Sequence, residues 1–209
     1  MPHDHDINQP HPFREVDDTK LSYHEALTYA LDRVLIGSGH LTREKLRTVR
    51  ENMEKRGPEN GAQLVARAWT DDAYKARLLA DGNAAAAEEG FDVKEAQLIV
   101  LENSDAVHNV IVCTLCSCYP RSLLGQPPDW YVSKAYRART IREPRKVLQE
   151  FGLKLDEATA IHVHDSNADM RYMVLPQRPD GTENMSNSEL AGLITRDHLI
   201  GVAVPSASD

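Results

Sequence analysis

The sequence predicts an α+β fold, because hydrophobic patterns typical of helices and of strands both occur along the chain. Apolar residues recur at helical spacing in several short segments of the first ninety residues or so. Apolar runs rich in Val, Ile and Leu then indicate strands at residues 98–101 and 110–113. Two further strands are predicted at residues 160–164 and 171–175. Strands followed by more strands and helices favour packed α and β layers over an all-helical bundle.

The chain divides by composition into three segments. Residues 1–20 are polar and contain several histidines, so we expect a disordered tail. Residues 21–57 carry two amphipathic helices, the first opened by the capping-box pair Ser22 and Glu25, and we expect a helical arm that contacts a partner surface. Residues 58–209 hold the strands and the remaining helices and are predicted to form the α+β core.

Turn and capping signals define the second half of the core. The sequence Asp-Ser-Asn at residues 165–167 can turn the chain, and the strand after it is predicted to return alongside the preceding one. Pro144 suits the first turn of a helix that ends at Gly152. Ser186 and Glu189 have capping-box spacing ahead of a final helix through residue 194.

Composition excludes several classes of protein. The 209 residues carry a net charge of −8 and show no basic stripe with interleaved aromatic residues, which argues against a nucleic-acid binder. No apolar run approaches the roughly 18 residues that a membrane span needs. The clustered thiols and the lack of a secretory signal favour the cytoplasm.

All three cysteines lie within six residues, as Cys113, Cys116 and Cys118. The odd count argues against a disulfide framework, and a loop directly after a strand can turn three sulfurs around one centre. A structural zinc site and a redox-active Cys-x-x-Cys pair are both compatible with this spacing. Zinc would need a fourth ligand, for which His108 is the nearest candidate, whereas a redox pair would not use Cys118.

The residues around the cysteines narrow these alternatives. The segment Val-Cys-Thr-Leu-Cys-Ser-Cys-Tyr-Pro at residues 112–120 resembles the metal-binding segment of the alpha subunit of nitrile hydratase. Other matching motifs are Ala-Arg-Ala-Trp at 66–69, Leu-Gly-Gln-Pro-Pro-Asp-Trp-Tyr at 124–131, Tyr-Arg-Ala-Arg at 136–139, Arg-Glu-Pro-Arg at 142–145 and Arg-Tyr-Met-Val-Leu-Pro at 171–176. The resemblance extends from about residue 57 to residue 205 and implies a four-layer α-β-β-α core.

The resemblance also implies a metal centre and its ligands. The three cysteine sulfurs and the backbone nitrogens of Ser117 and Cys118 would bind one trivalent ion per chain, leaving a sixth position open for water or substrate. Thr114 and Tyr119 match the cobalt members of the family, so Co(III) is expected, with Fe(III) as the alternative. Cys116 is expected as a sulfinic acid and Cys118 as a sulfenic acid whose oxygen borders the open site.

Further expectations concern the residues and proteins around this centre. Cys118, Ser117 and Asp165 are the expected catalytic-site residues, and Asp165 matches a carboxylate that supports an arginine of the partner subunit. A plain turn aspartate is the alternative for Asp165. The implied partners are a beta subunit, in an αβ or α2β2 assembly, and a cobalt-loading activator protein. The implied substrate is a small nitrile, which would be hydrated to an amide.

Two positions depart from the usual cobalt pattern. Arg121 stands where many cobalt nitrile hydratases have Trp, and Gln126 where they often have Leu. The gamma subunit of the related thiocyanate hydrolase typically has Arg and Gln at these positions. Hydrolysis of thiocyanate is therefore the second hypothesis, and a non-catalytic metal-binding or redox module is the third.

Overall fold

The computed structural model describes residues 21–54, 56–94 and 96–207. The chain divides into two compact units, Met1–Val49 and Arg50–Asp209. The predicted tail at residues 1–20 lies outside the described residues. None of the described helices combines the length and apolar character that a membrane crossing requires.

The first unit contains α1 (Tyr23–Gly37) and the start of α2 (Arg43–Glu54). The capping box predicted for α1 is confirmed. The backbone N–H of Ser22 donates to the Glu25 carboxylate at 2.7 Å, and the N–H of Glu25 donates to the Ser22 hydroxyl at 3.3 Å. No residue of α1 is buried, although the helix carries an apolar stripe.

The second unit begins with the three helices α3 (Glu59–Thr70), α4 (Asp72–Ala80) and α5 (Gly82–Glu88). Aspartate side chains cap two of them, because Asp71 accepts from the N–H of Tyr74 and Asp81 accepts from the N–H of Ala84. Tyr74 is fully buried and its hydroxyl donates to the carbonyl of Ala85, so this tyrosine belongs to the core.

The strands are β1 (Gln97–Glu102), β2 (Val107–Val112), β3 (Ala160–Asp165) and β4 (Met170–Leu175). They form two separate parallel pairs, β1 with β4 and β2 with β3. The expectation that the strand after residues 165–167 returns beside the preceding one is therefore wrong. The turn instead carries the chain from one sheet to the other. Alternation of side chains predicts an extended segment but not the strand with which it pairs.

The remaining helices are α6 (Arg121–Leu124), α7 (Asp129–Val132), α8 (Lys134–Arg142), α9 (Pro144–Glu150), α10 (Asn187–Gly192) and α11 (Arg196–Ile200). The start of α9 at Pro144 and the capping box of α10 are confirmed. The helix expected to run through residue 194 ends earlier, at Gly192, and is not the final one. Four further helices, α6, α7, α8 and α11, were not indicated by the sequence.

These elements form the predicted four layers. Helices α4 and α5 pack on β1, β4 contacts β2, and α8 and α9 pack on β2 and β3. The order α-β-β-α is thus confirmed for the second unit, with the core between the two sheets and on their outer faces. All of the last five residues of β2 are buried, which fixes this strand at the centre of the unit.

Candidate metal centre

The buried strand β2 places the three cysteines at its carboxyl end. Cys113 directly follows the strand and is buried, Cys118 is half-buried and Cys116 is exposed. The sulfur atoms of Cys113 and Cys116 are 3.8 Å apart, and those of Cys116 and Cys118 are 3.3 Å apart. All three sulfurs lie within 4.8 Å of one another, a spacing that lets them bind one ion. We call residues 113–118 the cysteine loop.

His108 is not part of this centre. It lies near the opposite end of β2 from Cys113, and both of its ring nitrogens have partners. Nε2 donates to the carbonyl of Gly201 at 2.7 Å, and Nδ1 lies 3.2 Å from the Asn103 amide nitrogen. Within the part of the chain that the structure describes, the three cysteines are the one group of three or more Cys, His, Asp or Glu ligands close enough to share an ion. A tetrahedral zinc site would lack its fourth protein ligand there.

Asp165 holds the start of the cysteine loop. It ends β3 and pairs in register with Val112, the residue before Cys113. Its carboxylate accepts from the backbone N–H of Thr114 at 2.9 Å and from the Thr114 hydroxyl at 2.6 Å. This aspartate therefore does more than form a turn, because it fixes the first residue inside the loop.

Two side chains brace the rest of the loop, and neither was expected at the site from the sequence. The Tyr131 hydroxyl donates to the carbonyl of Cys118 at 2.9 Å. Arg137 of α8 donates from Nη1 to the carbonyl of Cys116 at 3.2 Å and to that of Thr114 at 3.4 Å. Tyr131 lies in the family motif at 124–131 and Arg137 in the motif at 136–139. These motifs were the one feature of the sequence that could have pointed to the two residues.

The thiols of the cysteine loop differ in their pKa values. The pKa of Cys116 is lowered, first by its hydrogen bond with the Cys118 thiol and then by the backbone N–H of Ser117. Burial raises the pKa of Cys118 to about 12, and the charge of Arg171 opposes this shift. A metal ion would favour the thiolate form of each cysteine, so metal binding at this site would release protons.

Ser117 contributes its backbone to the site. Its N–H and that of Cys118 point to the Cys116 sulfur. The two backbone nitrogens that the resemblance implies as ligands thus lie beside the sulfur of Cys116.

Several other polar residues near the family motifs have structural roles or are exposed. His164 bonds the Asn109 side chain through Nε2 at 2.8 Å and packs against Tyr172, whereas His162 is exposed. Arg121, the first residue of α6, is exposed. Arg145 donates to the backbone carbonyls of the segment after α9, namely those of Leu155, Asp156 and Thr159.

A four-layer α+β unit with three clustered cysteines at the end of a central strand defines a class of metal-binding protein chains. The family model "Nitrile hydratase, alpha chain" matches residues 22–203. The chain belongs to this family.

Individual relatives agree with this assignment. The chain is 48% identical to the low-molecular weight cobalt-containing nitrile hydratase subunit alpha of Rhodococcus rhodochrous, over 85% of this chain and 86% of that protein. It is 42% identical to the thiocyanate hydrolase subunit gamma of Thiobacillus thioparus, over 89% and 82% of the two chains. A solved double mutant of the Fe-type nitrile hydratase from Comamonas testosteroni Ni1 has a TM-score of 0.84 and 45% identity, covering 92% of this chain and 93% of that one.

Proposed function

We propose that this chain is the metal-bearing subunit of a heteromeric nitrile hydratase, which hydrates a nitrile to the corresponding amide at a non-corrin Co(III) centre. The observation that carries the proposal is the group of three sulfurs within 4.8 Å of one another, held in a loop by Asp165, Tyr131 and Arg137. Cobalt is supported by Thr114 and by relatives named as cobalt-containing, while the Fe-type neighbour keeps Fe(III) as the alternative.

The residues of the cysteine loop fit such an ion. Thiolates are soft ligands, and Cys113, Cys116 and Cys118 with the backbone nitrogens of Ser117 and Cys118 supply five donor atoms. The bound ion would supply Lewis acidity toward a nitrile or a water molecule. Asp165 holds the loop through Thr114, and burial of Cys113 keeps that side of the site away from solvent. We further propose that an external oxidant converts Cys116 and Cys118 to the sulfinic and sulfenic acids, as the family resemblance implies. The exposure and lowered pKa of Cys116 support oxidation at that residue.

A beta subunit is proposed as the partner, with an activator protein that loads cobalt. Three thiolates and two deprotonated amides carry more negative charge than a trivalent ion offsets, so cations are needed nearby. Arg137 and Arg171 of this chain supply part of that charge. The exposed apolar stripe of α1 supports a role for residues 21–57 as an arm that binds the partner.

Clustered thiols favour the cytoplasm as the compartment in which this chain works.

Thiocyanate hydrolysis is the second candidate function. It is supported by the exposed Arg121, which follows the cysteine loop closely and would favour an anionic substrate, and by the relative named as a thiocyanate hydrolase subunit. The two candidates use the same cysteine loop, so the loop alone does not separate them.

The test is to co-produce the chain with a candidate beta subunit and activator, determine the bound metal, and assay amide formation from a panel of nitriles beside thiocyanate turnover. We expect about one cobalt per chain, amide formation by the complex and no activity of the chain alone. Stoichiometric zinc with unoxidised sulfurs and no turnover would support a non-catalytic module. Turnover of thiocyanate without amide formation from any nitrile would assign the second candidate.

A further inference from the structure

Arg137 lies on a helix that is anchored to the strand leading into the cysteine loop. The hydroxyl of Tyr136, the neighbouring residue in α8, donates to the carbonyl of Ile111 at 2.7 Å, and both residues are buried. The hydroxyl of Thr140, one turn further, is buried and bonds the carbonyl of Tyr136. Helix α8 therefore has a fixed position relative to β2, and Arg137 extends from a rigid element toward the loop.

The guanidinium group of Arg137 contacts the loop backbone rather than the sulfurs. Its Nη1 donates to the carbonyls of Cys116 and Thr114 at 3.2 and 3.4 Å. The first of these carbonyls belongs to the same peptide group as the nitrogen of Ser117. In a trans peptide the C=O and N–H bonds point in opposite directions. Holding the Cys116 carbonyl on Arg137 therefore turns the Ser117 nitrogen away from α8.

The opposite side of that peptide is the side of the sulfurs. The N–H groups of Ser117 and Cys118 point to the Cys116 sulfur, and the three sulfurs lie within 4.8 Å of one another. The contact with Arg137 thus orients a backbone nitrogen toward the sulfurs. Without this contact, the exposed peptide after Cys116 would be free to rotate toward solvent.

We propose that Arg137 is a positioning residue for the metal centre, which ties the Cys116 carbonyl to α8 and so presents the Ser117 nitrogen to the ion together with the sulfurs. The proposal rests on the proposed function for the identity of the ion. Its guanidinium also places a positive charge beside a ligand set with excess negative charge. The Nε–H of Arg137 is buried without an acceptor among the described residues, so the side chain retains a further donor beside the loop.

The test compares Arg137→Gln and Arg137→Lys with Arg142→Gln. Arg142 ends the same helix, is exposed, and lies about 140° around the helix axis from Arg137, so its replacement makes the same change in net charge away from the loop. Each full-length chain is prepared metal-free and reduced. Co²⁺ binding is then followed by sulfur-to-cobalt absorption in competition with a chelator, with far-UV circular dichroism as the check on folding.

We expect Arg137→Gln to weaken Co²⁺ binding by about 10- to 100-fold, as is typical when an outer-shell partner of a metal site is removed. Arg137→Lys should show a smaller loss because it keeps the cation, and Arg142→Gln should bind as the unmodified chain does. Equal affinity of Arg137→Gln and the unmodified chain would overturn the proposal, as would an equal loss in Arg142→Gln. If Arg137→Gln does not fold, Arg137→Lys decides: a reduced affinity supports the proposal and an unchanged affinity overturns it.

The measurement separates this proposal from the proposed function. Co²⁺ binding by the metal-free chain does not depend on turnover, on cysteine oxidation or on a partner. A complex that hydrates no nitrile would contradict the proposed function and leave the effect of Arg137 on Co²⁺ affinity intact. A complex that hydrates nitriles equally well with Arg137→Gln, with unchanged Co²⁺ affinity, would contradict this proposal alone.

Discussion

Asp165 acts on the cysteine loop through Thr114. Its carboxylate accepts two hydrogen bonds from that residue, one from the backbone and one from the hydroxyl. Hydrogen bonds to charged groups contribute about 1.5–3 kcal/mol each, and exposure of Asp165 reduces this value. These two hydrogen bonds explain why a residue with a hydroxyl group follows Cys113, because an aliphatic side chain could not donate to the carboxylate.

We expect Asp165→Asn and Thr114→Val each to lower the cobalt retained by the purified complex by about 10-fold, because the loop loses part of its support. Thr114→Ser keeps the hydroxyl and serves as the matched control, with cobalt retained as in the unmodified chain. Cobalt content by elemental analysis after dialysis against a chelator measures the effect. Full retention in Asp165→Asn would show that the aspartate does not support the loop.

His108 makes the stability of the core depend on pH. Because Nε2 donates to the carbonyl of Gly201, Nδ1 is left as the acceptor for the Asn103 amide, and the ring is neutral in the folded chain. Burial lowers the pKa of His108 below its ordinary value of about 6.5. The unfolded chain therefore binds a proton at a higher pH than the folded chain does, and stability falls as the pH decreases below about 6.5.

The corresponding prediction is that His108→Gln reduces this loss of stability toward acid pH, because the amide can replace both hydrogen bonds without titrating. Each unit of difference in pKa contributes about 1.4 kcal/mol to the free energy of unfolding. Urea denaturation at several pH values between about 5 and 8 measures the free energy of unfolding of each variant. Identical pH profiles for His108→Gln and the unmodified chain would contradict the assignment.

At the scale of elements, the end of α11 is fitted closely to β2. Gly201 follows α11 with φ at 89°, and a Cβ atom there would collide with the backbone carbonyl of Asn109. The same glycine offers the carbonyl that His108 bonds. This contact holds α11 against the strand that carries the cysteine loop, and it needs a residue without a side chain.

Gly201→Ala should lower the free energy of unfolding by about 1–3 kcal/mol from backbone strain alone, with the collision adding to that loss. Gly192→Ala is the control, because the glycine at the end of α10 has no atom within 4 Å of an added Cβ and no positive φ. Urea denaturation of both variants provides the comparison. Equal stability of the two variants would show that the close approach of α11 and β2 is not required.

At the scale of the whole molecule, α1 presents an apolar face that the first unit does not bury. Leu27, Leu31 and Val34 lie on one side of this helix and are 52%, 56% and 64% exposed. Contiguous apolar surface of this kind marks an interface. We proposed above that this face binds the beta subunit.

The expected result is that Leu27→Glu combined with Leu31→Glu greatly reduces co-purification of the beta subunit, while the variant chain itself stays folded. Arg33→Glu, at an exposed position on the opposite side of α1, should leave co-purification unchanged. Size-exclusion chromatography of the co-produced subunits gives the readout, with circular dichroism as the folding control. A complex of unchanged yield with both leucines replaced would exclude α1 as the binding element.

The sequence alone determined the local features of this chain. Capping boxes at Ser22 and Ser186, the proline at the start of α9 and the burial of β2 all depend on residues close in sequence, so local patterns predict them. The spacing of the three cysteines belongs to the same group, because six consecutive residues contain the whole set of sulfurs.

Only the tertiary structure decided which distant residues meet. Strands β3 and β4 follow each other along the chain but pair in different sheets, and alternation carries no information on pairing partners. Asp165 and Arg137 reach the cysteine loop from 51 and 21 residues away respectively, measured from Thr114 and Cys116. Their roles depend on the packing of β3 and α8 against β2, which is set by burial of the core and not by any motif within the loop.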